Sequence, residues 1–238
     1  MALEVVDRAS AARAADRLWS TLTSSSDGLV DRHFNRPVGR WMLSRWLVST
    51  GVTPNQISVA ANVVGLAGAW LLAWGDPRAA VAGALVFQLS AAVDCVDGDV
   101  ARMAFKESPL GRWLDLGGDQ VVHVAVFIGI ALGLARQQVT APVGWLAASA
   151  VAGALIAFGL VLWNQLRPPT RSAQRLQRLI DGATTRDFSV LVLALAWAGR
   201  LEWFLWMAAV GSHVFWVALL GLRWLGGAPA SGPGRGAP

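Results

Sequence analysis

Long apolar runs occupy most of residues 56–225, and they leave a chain like this few ways to fold. Inside hydrocarbon a backbone must satisfy its own N–H and C=O groups, so apolar runs of about 20 residues become membrane-spanning helices. The runs fall at about 56–75, from 79 into the motif beginning at Asp94, from 110 through the apolar stretch that follows Asp119, then at 142–164, 188–200 and 203–225. Turn chemistry separates them. Thr53-Pro54-Asn55-Gln56 opens the first with proline in the first helical turn, and Gly75-Asp76-Pro77 closes it. The expected fold is therefore an all-α integral membrane protein with six transmembrane helices.

The segments outside the runs divide the rest of the chain. Residues 1–27 carry Arg8, Arg13 and Arg17 among alanines and end in a polar TSSSD break, which reads as a cytoplasmic N-terminal arm. They lack an apolar core long enough for a cleavable signal peptide. Residues 28–50 mix Arg32, Arg36, Arg40 and Arg45 with Trp41, Leu43, Trp46 and Leu47, the composition of an amphipathic helix lying in the interface. Residues 51–226 form the six-helix domain, and the Gly/Pro-rich 227–238 reads as a disordered tail.

Charge placement sets the expected orientation. With both termini inside, 17 of the 20 basic residues lie on the cytoplasmic side, and only Arg78, Arg136 and Arg200 lie outside. The protein is thus expected in the cell (plasma) membrane, multi-pass, with both termini cytoplasmic. The net charge of +5 does not imply a nucleic-acid partner, because the arginines lie between spans where topology requires them. The single Cys95 excludes an intramolecular disulfide, and His33, His123 and His213 are too scattered for a zinc site. Gly65, Gly68, Gly83, Gly153 and Ala157 would let helices approach closely, either within the chain or at a dimer seam.

Between the second and third runs lies DCVDGDVARMAFKESPLGRWLDLGGD, residues 94–119. Asp94, Asp97, Asp115 and Asp119 fall at spacings of 3, 18 and 4. At about 100° per residue, Asp94, Asp97, Gly98, Ala101 and Arg102 share an arc of roughly 140°, and Asp115 and Asp119 share a second face. Two helices meeting across Ser108-Pro109 would aim four carboxylates at one point, facing the cytoplasm. Asp99 points about 140° away from Asp94. Clustered carboxylates suit hard divalent cations, and the guanidinium of Arg102 fits phosphate oxygens. Carboxylates at a membrane boundary are costly and mark function. A divalent-cation transporter is the alternative, although a fixed guanidinium beside the cation site argues against permeation.

The pattern D-x2-D-G-x2-A-R-x8-G-x3-D-x3-D, carried by Asp94, Asp97, Gly98, Ala101, Arg102, Gly111, Asp115 and Asp119, resembles the signature of the CDP-alcohol phosphotransferase family. That resemblance implies an enzyme that transfers a substituted phosphate from a CDP-linked donor to an alcohol and releases CMP. It also implies a juxtamembrane helix before a six-span core, and a homodimer. Asp94, Asp97 and Asp115 would be ligands of Mg²⁺ (or Mn²⁺), two ions in all, with Asp119 near the metals and acting as general base. Asp94, Asp97, Gly98, Ala101, Arg102, Gly111 and Asp115 would form the CDP site, joined by Asn55 at the mouth of the first span. For an acceptor phosphate the candidates are Lys106 and Arg186, with Arg171 and Arg175 as further possibilities. The segments RHFNRPVGR, TGVTPNQIS, FQLSAAVDCVDGDVARMAFKES and RDF look most like the di-myo-inositol-phosphate-phosphate synthase branch. There such a membrane domain joins CDP-inositol to inositol-1-phosphate and is often fused to a cytidylyltransferase domain. The 27 residues before the interfacial segment are expected to hold no such domain, so a separate enzyme would supply the donor. CDP-diacylglycerol remains a second possible donor.

Overall fold

A computed structural model describes residues 6–7, 10, 14, 17, 31–35, 37–38, 52–103, 109–165 and 188–225. Six α-helices are described: α1 (Pro54–Leu72), α2 (Pro77–Met103), α3 (Pro109–Arg136), α4 (Val143–Gln165), α5 (Phe188–Trp197) and α6 (Leu201–Leu225). Among the described residues there is no strand.

Each helix start in the first pair has a local cause. Thr53 and Gln56 form a reciprocal capping box: the Thr53 hydroxyl oxygen accepts from the Gln56 N–H at 3.4 Å, and Gln56 Oε1 accepts from the Thr53 N–H at 3.0 Å. Pro54 occupies the first helical position, where its missing N–H costs nothing. Asp76 Oδ1 accepts from the N–H groups of Arg78 and Ala79 at 2.8 and 3.0 Å and so caps α2. The corner between α1 and α2 turns through Gly75 at φ +81°, where a side chain would be strained. From the end of α3, Arg136 donates to the Ala73 carbonyl and ties this corner down.

Helix α1 packs against both α2 and α3, α4 packs against α6, and α5 contacts α2 and α6. The core is built from small and aliphatic side chains, among them Ala69, Leu72, Ala84, Val122, Val126, Ile130 and Leu205. The α1–α2 crossing is closest at two glycines. A Cβ on Gly83 would lie 2.7 Å from the Gly68 carbonyl oxygen and 2.8 Å from the Leu72 nitrogen. Gly65 and Gly153 are likewise covered from within the chain, by Val122 and Ser212. These glycines therefore serve internal packing. Gly83→Leu should lower the thermal midpoint in detergent by an amount equivalent to about 1–3 kcal/mol or more. Gly211→Leu, at a position with open space beyond the Cβ, should leave the midpoint nearly unchanged.

Among the described residues, five helical stretches are long and apolar enough to cross a membrane: Pro54–Leu72, Pro77–Val96, Trp113–Arg136, Val143–Trp163 and Leu201–Gly221. The remaining expected span corresponds to α5, whose 10 residues reach about 15 Å, half of a hydrocarbon core of about 30 Å. Among the described residues, five spans and one shorter apolar helix thus stand where the sequence placed six. Exposed tryptophans mark the ends of the spans. Trp74, Trp145, Trp197 and Trp203 lie at the α1–α2, α3–α4 and α5–α6 corners, and Trp113 and Trp163 lie at the opposite ends. This is the distribution of the two aromatic belts of a membrane protein.

Most of the arm at 1–27, most of the segment 28–50, and the tail 227–238 lie outside the described residues. Within 28–50, Asp31–Asn35 forms one π-helical turn. Its Asn35 is fully buried and accepts from Gln88 Nε2 of α2 at 2.6 Å. This turn is thus tied to the middle of α2 by a buried amide pair.

Candidate active site

The second half of α2 carries Asp94, and the first half of α3 carries Asp115 and Asp119 one turn apart. One carboxylate oxygen from each of the three lies within 4.8 Å of the others. Asp94 is buried, and Asp115 and Asp119 are partly buried. The next two residues of α2, Cys95 and Val96, are buried as well. Two helices thus converge their carboxylates as the spacing predicted, for three of the four aspartates.

Asp97, Gly98, Ala101 and Arg102 follow on the last turns of α2, but the side chains of Asp97, Ala101 and Arg102 lie outside the described residues. Gly111 is partly buried in the first turn of α3. Lys106, Arg171, Arg175 and Arg186 lie outside the described residues. Asn55 is partly buried at the start of α1, and it does not line the cleft beside the carboxylates.

That cleft extends from Asp94 and Asp119 along the helices, and among the described residues its polar lining beyond these two is Asn62, Ser90, His123 and Ser189. Sequence reading did not single out these four for the site, although signals for three were present. Asn62 follows Asn55 by seven residues on the same face of α1, Ser90 precedes Asp94 by one turn, and His123 follows Asp119 by one turn. Ser189 opens α5 and had no such signal. The Ser90 hydroxyl donates to the Ala61 carbonyl at 2.8 Å. The His123 ring meets Phe188 edge-on, with centroids 4.8 Å apart and planes at 77°. A Cβ on Gly118 would fall 2.6 Å from Asn62 Cγ and 2.7 Å from its Oδ1. The Asn62 carboxamide therefore rests directly on the backbone of α3, beside Asp119.

The three converging ligand atoms are all carboxylate oxygens. Hard, all-oxygen donor sets suit Mg²⁺ or Mn²⁺ and not the softer metals held by sulfur and imidazole. The residues present therefore fit a divalent metal.

The family model for CDP-alcohol phosphatidyltransferase matches residues 51–224, which include all six helices almost to the end of α6. The chain belongs to that family. A bifunctional IPC transferase and DIPP synthase of Rubrobacter xylanophilus is 36% identical over 172 residues, covering 72% of this chain and 37% of the relative. An archaetidylinositol phosphate synthase of Pyrococcus horikoshii is 29% identical over 99 residues, covering 41% of this chain and 51% of the relative. In these two alignments the matched region is about a third to a half of the relative's length. Among solved structures, the phosphatidylinositol phosphate synthase of Mycobacterium tuberculosis with manganese and citrate superposes with a TM-score of 0.57 at 20% identity. That match covers 82% of this chain and 90% of the other. The same synthase with CDP-DAG bound gives a TM-score of 0.57 at 19% identity, covering 86% and 99%. At these identities the likeness establishes the shared fold of this CDP-alcohol phosphatidyltransferase family member.

Proposed function

We propose that this chain is a membrane-embedded transferase that moves a substituted phosphate from a CDP-linked donor to a hydroxyl acceptor and releases CMP. The observation that carries the reading is the convergence of Asp94, Asp115 and Asp119 from α2 and α3 at the positions of the family signature. In the reaction the acceptor oxygen attacks the phosphorus distal to cytidine in line with the pyrophosphate bridge. The bridging P–O bond breaks, and CMP leaves with its electron pair. Asp119 takes the acceptor's proton, which requires it to reach the hydroxyl directly or through one water. Asp94, Asp97 and Asp115 hold Mg²⁺ or Mn²⁺, two ions, with Asp119 beside them. When bound, the metal neutralises pyrophosphate charge and stabilises the leaving CMP. Gly98, Ala101, Arg102 and Gly111 line the CDP site, with Asn55 at its edge, and Lys106 and Arg186 meet an acceptor phosphate.

The names of the relatives favour an inositol-type substrate, with CDP-inositol or CDP-diacylglycerol as donor. The arginine distribution supports a plasma-membrane protein whose site opens to the cytoplasm, where nucleotides are available. Family resemblance supports a homodimer.

The test is CMP release by purified protein in detergent with Mg²⁺. CDP-inositol and CDP-diacylglycerol are each offered with inositol, inositol-1-phosphate or glycerol-3-phosphate. CMP should form from at least one pair and fall to background when the divalent ion is chelated. Uptake of Mn²⁺ into proteoliposomes by protein that makes no CMP would instead favour a cation transporter.

A further inference from the structure

Asp94 reaches the cluster from α2, and Asp115 and Asp119 reach it from α3. Among the described residues these two helices touch each other little, while α1 packs closely on both. The separation of the carboxylates is therefore set by the helix on which α2 and α3 both rest. Packed interiors transmit displacement, so the contact points on α1 nearest the cluster decide that separation.

Those points are Ala61, Asn62 and Gly65, within about one turn of α1. From α2, one turn before Asp94, the buried Ser90 hydroxyl donates to the Ala61 carbonyl at 2.8 Å. On the other side, the Asn62 carboxamide lies against Gly118 of α3, the residue before Asp119. Gly65 meets both helices at once. A Cβ built there would fall 2.7 Å from Val122 Cγ1 of α3 and 2.8 Å from Ser90 Oγ of α2. Carbon atoms in contact normally keep about 3.5–4.0 Å. Ser90 and Val122 thus fill, from two different helices, the notch left by the missing side chain.

Neither neighbour gives way freely. Val122 is buried, and a β-branched side chain is stiff in a helix. Ser90 can retreat only by giving up its bond to Ala61. A methyl group at position 65 must then push α2, α3 or both away from α1, close to the carboxylates. Three oxygens within 4.8 Å of one another would register the change unequally for different ions. Mg²⁺ demands near-ideal octahedral geometry at about 2.0–2.1 Å, whereas Ca²⁺ accepts flexible geometry at about 2.3–2.6 Å.

We infer that Gly65, with Ser90 and Val122 seated against it, is the spacer that fixes the carboxylate separation. It thereby sets how well the cluster holds a small divalent ion relative to a larger one. Gly65 is a positioning residue that acts through Asp94 and Asp119. The inference rests on the cluster being a divalent-ion site, as the proposed function requires, and names what sets its ion preference.

The experiment follows thermal midpoints of the purified protein in detergent, without substrate, across separate Mg²⁺ and Ca²⁺ series. An ion that binds the folded state raises the midpoint with its concentration, so each series yields an apparent dissociation constant independent of activity. Gly65→Ala should weaken Mg²⁺ binding about tenfold, the low end for residues that support metal ligands, and weaken Ca²⁺ binding clearly less. Gly65→Ala/Val122→Ala removes both methyls that the new one meets and should return the Mg²⁺/Ca²⁺ ratio toward wild type. Gly129→Ala controls for stability alone. Its Cβ would meet the Ala69 carbonyl on the same α1–α3 seam, about 15 Å along α3 from Asp119. It should lower the midpoint in chelator and leave the ratio unchanged. Where Gly65→Ala fails to fold, Gly118→Ala applies a milder push, since its Cβ meets the end of the Asn62 side chain, and Asn62→Ala should cancel it. An unchanged ratio in the folded variant would overturn the inference and leave the transferase reading intact. So would an equal change in Gly129→Ala, or a double variant that keeps the full loss of Mg²⁺. Wild type stabilised by neither ion would overturn the divalent-ion reading of the cluster as well.

Discussion

Asp119→Asn should reduce kcat for CMP release by about 10²–10⁴-fold, the usual contribution of a positioned general base. Asparagine preserves the size of the side chain and one acceptor oxygen, so the packing of α3 against α1 should persist. What it loses is the ability to take a proton. Asp119 suits this role because it shares the cluster with Asp94 and Asp115 and also lines the cleft in which Asn62 and His123 stand. Asp94 lines the same cleft but is the more buried of the two, so Asp119 is the more accessible carboxylate there. A base acts only in the transition state, so kcat and kcat/KM for the donor should fall together. Paired kinetics and thermal-shift titrations with Mn²⁺ check this. If activity returned to wild-type levels at high Mn²⁺, Asp119 would be a metal ligand only and the base would lie elsewhere.

The site was legible in the sequence where chemistry is encoded by spacing along one helix. Asp115 and Asp119 are one turn apart, and Asp94 begins the motif on α2, so their convergence needed only two helices and a break between them. The helix start at Thr53-Pro54 and the turn at Gly75-Asp76-Pro77 were legible for the same local reason. Contacts between distant segments were not. Asn35 and Gln88 are 53 residues apart, and no local pattern pairs them. The small residues of α1 and α2 gave a stripe compatible with either a dimer seam or an internal crossing, because both need the same absence of side chain. Only the approach of Gly68 to Gly83 decides between them. Asn62 and His123 were overlooked because each is a single polar residue inside an apolar run. Their place in one cleft depends on α1 and α3 being adjacent, which spacing within one helix does not report. Helix α5 falls where a fifth span was expected and is apolar throughout, its described part running from Phe188 to Trp197.

Asp94→Asn should abolish the stabilisation that a divalent ion gives the folded protein. In wild type, a free Mn²⁺ concentration 100 times the dissociation constant contributes about 2.7 kcal/mol, or about 5–11 °C in thermal midpoint for a protein of this size. Asp94 is the most buried member of the cluster, 5% exposed, and it is the only described aspartate that α2 contributes to it. Its loss removes the buried α2 carboxylate from the donor set, which would weaken the hold of that set on a divalent ion. Without metal the order of stability should reverse. Three carboxylates whose oxygens lie within 4.8 Å of one another repel in the folded state, and replacing the buried one by a neutral amide relieves part of that repulsion. Metal-free Asp94→Asn should therefore melt at or above metal-free wild type, while its CMP release stays near background at every Mn²⁺ concentration. Thermal scans of both proteins, with chelator and across a Mn²⁺ series, check the two halves together. A variant that kept the full Mn²⁺ shift would remove Asp94 from the ligand set. One that melted well below wild type in chelator would show that its carboxylate holds the helix pair together even without metal. The proposed chemistry thus requires a cluster that costs the apoprotein stability and returns it only when the ion is bound.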